Sequence, residues 1–247
     1  MKKSILAAAI LALGLNAASA DVLKVGTHPT FAPFEYVDDN GKAIGFDIEL
    51  IEAIAKTQGD TVEIVSMPFD GLIPALLTGQ IDASITGMTI TDERKKRVDF
   101  TEGYYVSSLS ALIAAKDKES LTDVQKLKGQ KICAQIGTTG AMFAEKLSPS
   151  NVVALNNQPD AMLELQNGGC VALINDRPVN LFYLQKANTD KIVELADKSL
   201  VENADVYGIA VQKGNSAMVE KLNKGLKAVK ENGQYKELHK KYFGVEQ

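Results

Sequence analysis

The residues best suited to chemistry lie between positions 84 and 105, in the segment SITGMTITDERKKRVDFTEGYY. A predicted strand ends there in small or hydroxyl-bearing residues: Thr86, Gly87 and Thr89. A helix is predicted to follow, with Thr91 or Asp92 as its N-cap and Arg94 in its first turn. Because ligands of open α/β sheets bind at the carboxyl ends of strands, this junction is a candidate binding site.

Arg94 has the most specific chemistry of this segment. A cation in the first turn of a helix is disfavoured by the helix dipole, so we expect an anion beside it. A guanidinium can bind a carboxylate through two parallel hydrogen bonds. This binding role competes with a simpler interpretation, in which Arg94 belongs only to the solvated basic face ERKKR.

The sequence contains no recognisable catalytic or metal-binding motif. Its two histidines, His28 and His239, have no partner at the spacing of a metalloprotease helix. It also lacks the GxxxxGK[ST] phosphate loop, the GxGxxG fingerprint and the G-x-S-x-G elbow. We therefore expect neither enzyme activity, nor a metal, nor a cofactor.

Short apolar strands alternate with amphipathic helices around this segment, which predicts mostly parallel sheets covered by helices. The first series has predicted strands at 22–27, 61–67 and 81–88, with helices at 46–59 and 71–80. After an extended stretch at 103–116 and a polar segment, a second series starts with KICAQIG. Two predicted helices end the chain. They either return to the lobe formed by the first series or form a separate subdomain.

The first twenty residues resemble a secretory signal. Lys2 and Lys3 precede an apolar stretch from Ile5 to Leu15, and the small residues at 18–20 offer a cleavage site. The apolar stretch is too short to span a bilayer, so we expect a soluble mature protein that begins at Asp21 in the periplasm. Removal of Lys2 and Lys3 changes the formal net charge from −4 to −6, which disfavours nucleic acid as a partner.

Length and cysteine content add two expectations. With 247 residues, 45% of them hydrophobic, the chain exceeds one typical domain of about 150 residues and can form two cores. Cys133 and Cys170 are the only cysteines. An oxidising compartment would permit a disulfide between them, and two buried free thiols fit the sequence equally well.

Several separated motifs together resemble the polar-amino-acid class of periplasmic binding proteins of ABC importers, the family 3 extracellular solute-binding proteins. They are HPTFAPFEY (28–36), GFDIELIEAIAK (45–56), FDGLIPALLTGQIDASITGMTITDERKKRVDFTEGYY (69–105), IGTTG (136–140), CVALIND (170–176), YGIAVQKGN (207–215) and ENGQYKELHKKYFG (231–244). The family includes glutamine-binding and lysine/arginine/ornithine/histidine-binding proteins, and the resemblance covers nearly the whole mature chain.

The resemblance implies an α/β fold of periplasmic binding protein type II, with two Rossmann-like lobes joined by a two-segment hinge. Residues 1–20 would be the signal peptide, residues 21–105 and 205–247 the first lobe, and residues 108–201 the second. The hinge segments would lie at about 104–108 and 202–206. One amino acid would be captured between the lobes by hinge closure.

The resemblance also implies roles at matching positions for the ligand backbone. Arg94 would bind the α-carboxylate, helped by Thr89 and by backbone N–H groups near Thr139. Asp176 and the backbone around Gly87 would bind the α-ammonium.

Five further positions would surround the ligand side chain. Phe31 and Phe69 would enclose it, unless they are ordinary core aromatics. His28 stands where relatives for basic amino acids and for glutamine carry an acid, and Gln135 and Asn175 are also uncharged. We therefore predict a polar neutral ligand, glutamine first, with arginine, histidine or another polar amino acid as alternatives. His28 as a loop residue that caps a turn fits the sequence equally well.

The predicted function is that of a monomeric periplasmic solute-binding protein in amino acid transport, which delivers its ligand to the membrane subunits of an ABC importer. The rival is a cyclohexadienyl or arogenate dehydratase on the same fold. That reaction needs a general acid in the cleft, and His28 is the one residue that could serve.

Overall fold

The computed structural model describes residues 21–187, 190–195, 197–202 and 204–244. The predicted signal peptide at 1–20 lies outside these ranges. None of the described helices combines the length and hydrophobicity that crossing a bilayer requires.

Strands and helices alternate along most of the described chain. The strands are β1 (Val22–Thr27), β2 (Thr30–Phe31), β3 (Glu35–Val37), β4 (Ala43–Ile44), β5 (Thr61–Ser66), β6 (Ala83–Ser84), β7 (Val98–Phe100), β8 (Tyr105–Ala114), β9 (Ile132–Gln135), β10 (Val152–Leu155), β11 (Ala172–Asp176), β12 (Ile192–Glu194), β13 (Ala204–Tyr207) and β14 (Ala210–Gln212). The helices are α1 (Phe46–Thr57), α2 (Phe69–Leu77), α3 (Asp92–Lys95), α4 (Thr139–Leu147), α5 (Gln158–Gln166), α6 (Arg177–Ala187), α7 (Lys198–Val201), α8 (Ser216–Glu231) and α9 (Gln234–Phe243).

The first lobe is built on a sheet with the strand order β5-β1-β6-β14-β7. β1 pairs in parallel with β5 and β6, and β14 pairs antiparallel with β6 and β7. Apolar residues of α1, α8 and α9 share one hydrophobic cluster with β1, and α2 belongs to a second cluster. The chain therefore returns to the first sheet at β14 and does not form a separate C-terminal subdomain.

The second lobe is built on a sheet with the order β10-β9-β11-β8-β12. β9 runs parallel to β10 and β11, whereas β8 runs antiparallel to β11 and β12. Cys133 in β9 and Cys170 just before β11 form a disulfide with Cα atoms 5.7 Å apart. This bond joins the beginnings of two strands whose carboxyl ends face the first lobe.

The two chain segments that connect the sheets lie side by side. The beginning of β8 pairs antiparallel with β13, in a register that matches Tyr105 with Tyr207 and Ser108 with Ala204. A paired ribbon of this kind can bend as one unit. We therefore propose that these two segments form the hinge and that the lobes have the boundaries expected from the sequence.

The strand predicted at 81–88 is only partly formed. β6 covers Ala83 and Ser84, and the following residues leave the sheet. Gly87 adopts a φ of 56°, and its N–H donates to Asp47 Oδ2 at 2.7 Å instead of to a neighbouring strand. A Cβ at this position would also lie 2.9 Å from the ring of Phe31, so the local path of the chain requires glycine.

Candidate functional site

A cavity lies between the two lobes. The carboxyl ends of β1, β6, β9 and β11 all meet at it, as expected for ligand sites in open α/β sheets. Its lining residues are His28, Phe31, Glu35, Phe69, Thr86, Gly87, Thr89, Arg94, Gln135, Thr138, Thr139 and Asp176.

Arg94 lies buried in one wall of this cavity, with only 5% of its surface exposed. Thr91 is the N-cap of α3, and its hydroxyl accepts from the Arg94 N–H at 3.2 Å. The Arg94 side chain donates to the Thr89 carbonyl at 2.7 Å and, across the cleft, to the Gly137 carbonyl at 3.0 Å. Burial lowers the pKa of Arg94 to about 10, so the guanidinium stays charged at neutral pH.

The surroundings of Arg94 suit a carboxylate. The guanidinium carbon lies 5.3 Å from the centre of the Phe69 ring, which holds its plane in place. The N terminus of α4 opens into the cavity from the other lobe, with Thr138 as its N-cap and Thr139 as its first residue. The partial positive charge of this helix end adds to that of Arg94. We call Arg94, Thr89 and the start of α4 the Arg94 end of the cavity.

Asp176 supplies the complementary charge. It is buried at the carboxyl end of β11, and its Oδ1 atom has no hydrogen-bond partner among the described residues. Burial raises the pKa of Asp176 to about 7, an effect that Asp205 increases and that Tyr207 and Arg94 oppose. A ligand ammonium would provide both the missing donor and the missing positive charge.

The remaining polar side chains form a second hydrogen-bonded group, which we call the Glu35 end: Glu35, Thr86, His28 and Gln135. The Thr86 hydroxyl donates to Glu35 Oε1 at 2.7 Å and accepts from the backbone N–H of His28 at 3.2 Å. Across the cleft, Gln135 Nε2 lies 3.1 Å from His28 Nδ1. Burial lowers the pKa of His28, so a neutral ring can accept this bond from the amide.

Two atoms of the Glu35 end are buried acceptors without a hydrogen-bond partner in the part of the chain that the structure describes: Glu35 Oε2 and Gln135 Oε1. Glu35 has no exposed surface. Burial and the nearby Asp47 raise the pKa of the Glu35 carboxyl well above its ordinary value. A ligand side chain with N–H donors would satisfy both acceptors.

The structure brings together nine of the ten residues that the sequence nominates for the site. Asn175 is the exception: it is buried next to Asp176 but does not line the cavity. His28 lines the cavity, as expected of a ligand contact. Its Nδ1 also lies 3.3 Å from the Thr30 hydroxyl in the same loop, as expected of a residue that caps a turn.

Sequence reasoning missed Glu35 and Thr138. Glu35 lies four residues after Phe31 in the motif HPTFAPFEY. An acidic residue inside an otherwise apolar and aromatic run was the available signal for it. Thr138 precedes a helix and has the residue type of an N-cap, which was its available signal.

The full sequence matches one family of known proteins over residues 23–245, described as bacterial extracellular solute-binding proteins, family 3. It is 35% identical to the putative ABC transporter arginine-binding protein 2 of Escherichia coli, over 98% of this chain and 99% of that protein. The resemblance seen in the motifs is thereby confirmed.

Two solved structures of an ancestral arginine-binding protein are similar in fold, and both are 39% identical in sequence. The one bound to arginine has a TM-score of 0.84 and covers 90% of this chain and 98% of its own. The one bound to glutamine has a TM-score of 0.85 and covers 92% and 100%. The two-lobed α/β fold is confirmed, and so is the expectation of a binding protein, since these relatives are named as binding proteins and not as enzymes.

Proposed function

Because the chain belongs to the bacterial extracellular solute-binding proteins, family 3, we propose that it captures a polar L-amino acid with a cationic side chain, arginine first. The observation that carries this proposal is the fully buried acid Glu35 in the lining of the cavity. A guanidinium would give this buried acid the donors and the charge that the protein itself does not supply.

The rest of the cavity supports a zwitterionic ligand. Arg94 and the start of α4 would bind the α-carboxylate, and Asp176 would bind the α-ammonium. Phe31 and Phe69 would pack against the side chain between these groups and the Glu35 end. The names of the relatives, which refer to arginine, point to the same ligand.

Glutamine is the second candidate, and one observation favours it. Burial raises the pKa of Glu35 and so favours its neutral form, and a neutral carboxyl accommodates an amide. One similar structure, described as an arginine-binding protein, holds glutamine. Histidine and other polar amino acids are the remaining alternatives.

A thermal-unfolding panel tests this proposal. Ligand-stripped protein is heated with each of the twenty amino acids, and saturation at a hundredfold excess over Kd adds about 2.7 kcal/mol of stability. For a chain of this size, that corresponds to a shift of roughly 5 to 10 °C. We expect the largest shift with arginine. A shift with glutamine alone would mean that glutamine, and not arginine, is the ligand. An unfolding temperature that no amino acid changes would contradict amino acid binding.

The same proposal includes export and delivery. The protein would lose residues 1–20 on export, act as a monomer in the periplasm and pass its ligand to the membrane subunits of an ABC importer. N-terminal sequencing of the exported protein should begin at Asp21. Incubation with arogenate or prephenate should give no aromatic product, and formation of such a product would favour the dehydratase instead.

A further inference from the structure

Beneath the Glu35 end lies a second carboxyl group, Asp47, in the first turn of α1. Neither Glu35 nor Asp47 has exposed surface. Asp47 Oδ2 accepts from the Gly87 N–H at 2.7 Å and from the Tyr104 hydroxyl at 2.6 Å. Glu35 Oε1 accepts from the Thr86 hydroxyl alone, at 2.7 Å.

The other two oxygens of this pair, Glu35 Oε2 and Asp47 Oδ1, are buried acceptors with no donor among the described residues. The two side chains are neighbours, because they accept from the adjacent residues Thr86 and Gly87 and the Asp47 N–H donates to the Phe34 carbonyl at 2.9 Å. Double ionisation of two neighbouring carboxyl groups this deeply buried is strongly disfavoured, because burial removes the bulk solvation that would offset their repulsion. One proton between them supplies the missing donor.

The neighbouring donors decide which carboxyl group holds that proton. Asp47 accepts two hydrogen bonds that stabilise its charged form, whereas Glu35 accepts one. Asp47 is therefore the carboxylate and Glu35 the protonated acid. In agreement, the pKa of Glu35 is raised first by burial and then by the charge of Asp47.

We propose that Asp47, which does not line the cavity, determines ligand specificity through Glu35 by sharing one proton with it. With the proton in place, Glu35 accepts a neutral side chain such as that of glutamine. A cationic side chain such as that of arginine makes Glu35 ionise, so its binding releases the proton. This inference rests on the proposed function and adds to it a coupling between ligand charge and pH.

Several other charged or titratable groups surround the pair, and the test must separate their effects. They are Tyr104 before β8, Tyr105 on β8, Tyr207 on β13, Tyr235 on α9, Asp176 on β11 and, joined to Glu35 through Thr86, His28 after β1. Asp176 and Arg94 would bind the backbone groups that arginine and glutamine share, so their titration cancels in the ratio of the two affinities. Of these remaining groups, His28 alone lines the cavity, and burial lowers its pKa from the ordinary value.

The test measures arginine and glutamine binding by calorimetry from about pH 5.5 to 8, in buffers of different ionisation enthalpy. We expect arginine to release about one proton more than glutamine while free Glu35 is protonated. The ratio of the glutamine Kd to the arginine Kd should then rise up to about tenfold per pH unit. Equal proton release by the two ligands, with a constant ratio, would overturn the inference.

Two matched variants complete the test. Asp47→Asn keeps an oxygen that can accept from Gly87 and Tyr104, and it directs an N–H donor at Glu35. Glu35 should then be ionised, so the ratio of the glutamine Kd to the arginine Kd should favour arginine at every pH. Glu35→Gln imitates the protonated acid, and its ratio should favour glutamine at every pH. If Asp47→Asn does not fold, the wild-type proton release and Glu35→Gln still decide the question.

A third variant, His28→Gln, identifies a different origin of the pH dependence. If the slope of the ratio persists in Asp47→Asn and Glu35→Gln but disappears in His28→Gln, then His28 causes it and the inference is wrong. Failure of the proposed function has a separate signature, since the wild-type protein would then bind neither amino acid at any pH.

Discussion

The side-chain amide of Gln135, at the end of β9, lies 3.1 Å from Nδ1 of His28, which follows β1 in the opposite lobe. Arg94 spans the same cleft to the Gly137 carbonyl at 3.0 Å, and the Tyr183 hydroxyl spans it to the Thr30 carbonyl at 3.4 Å. The lobes are therefore joined by direct hydrogen bonds in this closed arrangement, and these bonds must break for the cleft to open.

The first prediction concerns the bond between His28 and Gln135. Gln135→Leu should weaken binding of arginine and of glutamine by about 2- to 10-fold, since one hydrogen bond contributes about 0.5–1.5 kcal/mol to closure. Calorimetry measures both affinities, and Gln166→Leu on the exposed face of α5 is the control. If the variant loses affinity for only one of the two ligands, Gln135 acts through a contact with that ligand's side chain and not through closure.

The second prediction concerns Arg94. Arg94→Ala would leave the ligand carboxylate buried and unpaired, at a cost of roughly 2 to 5 kcal/mol, so affinity should fall about thirtyfold or more. Arg97→Ala removes an exposed cation from the same basic run and should leave affinity unchanged. Unchanged affinity in Arg94→Ala, measured by calorimetry, would remove Arg94 from the carboxylate site.

The third prediction concerns the pH dependence of Asp176. Its pKa of about 7 in the free protein lies above the ordinary value of 3.8, because burial disfavours the charge. The unfolded chain therefore releases this proton at lower pH than the folded chain. The stability contribution of Asp176 is fully present below about pH 3.8 and is lost as the pH rises through about 7.

Asp176→Asn should accordingly stabilise the ligand-free protein at pH 7, by about 1 to 4 kcal/mol, and weaken amino acid binding. Thermal unfolding with and without ligand measures both effects, and the stabilisation should disappear near pH 4. In the wild-type protein, affinity should fall with decreasing pH below about 7, because Asp176 must ionise to bind an ammonium. A stabilisation relative to the wild type that is no larger at pH 7 than at pH 4 would contradict this description of the site.

The fourth prediction concerns the disulfide between Cys133 and Cys170. It closes a loop with a sequence separation of 37, so replacing both cysteines by serine should cost about 2–4 kcal/mol of stability. Thermal unfolding of the wild type should shift downward in reductant, whereas the double variant should not respond. Equal unfolding temperatures for wild type and variant under oxidising conditions would show that the bond contributes nothing.

Regular patterns in the sequence predict most of the fold, because the hydrophobic period of each segment depends on local geometry. The strand at 22–27 and the helix at 46–57 follow directly from such patterns. Only part of the strand predicted at 81–88 forms, because Gly87 turns the backbone with a φ of 56° and donates its N–H to Asp47 instead of to a neighbouring strand. The sequence left the oxidation state of the cysteines open, because the Cα separation of 5.7 Å depends on the pairing of β9 and β11.

The sequence by itself determined the family, the two-lobed α/β fold and a set of residues of which nine line one cavity. Only the tertiary structure decided that Glu35 lines the cavity, that Asp47 lies behind it and that Asn175 does not reach the lining. The reason is physical. Family and fold follow from residue types and their periods along the chain, whereas the charge of Glu35 depends on burial and on contacts with Thr86, 51 residues away in sequence, and with Asp47.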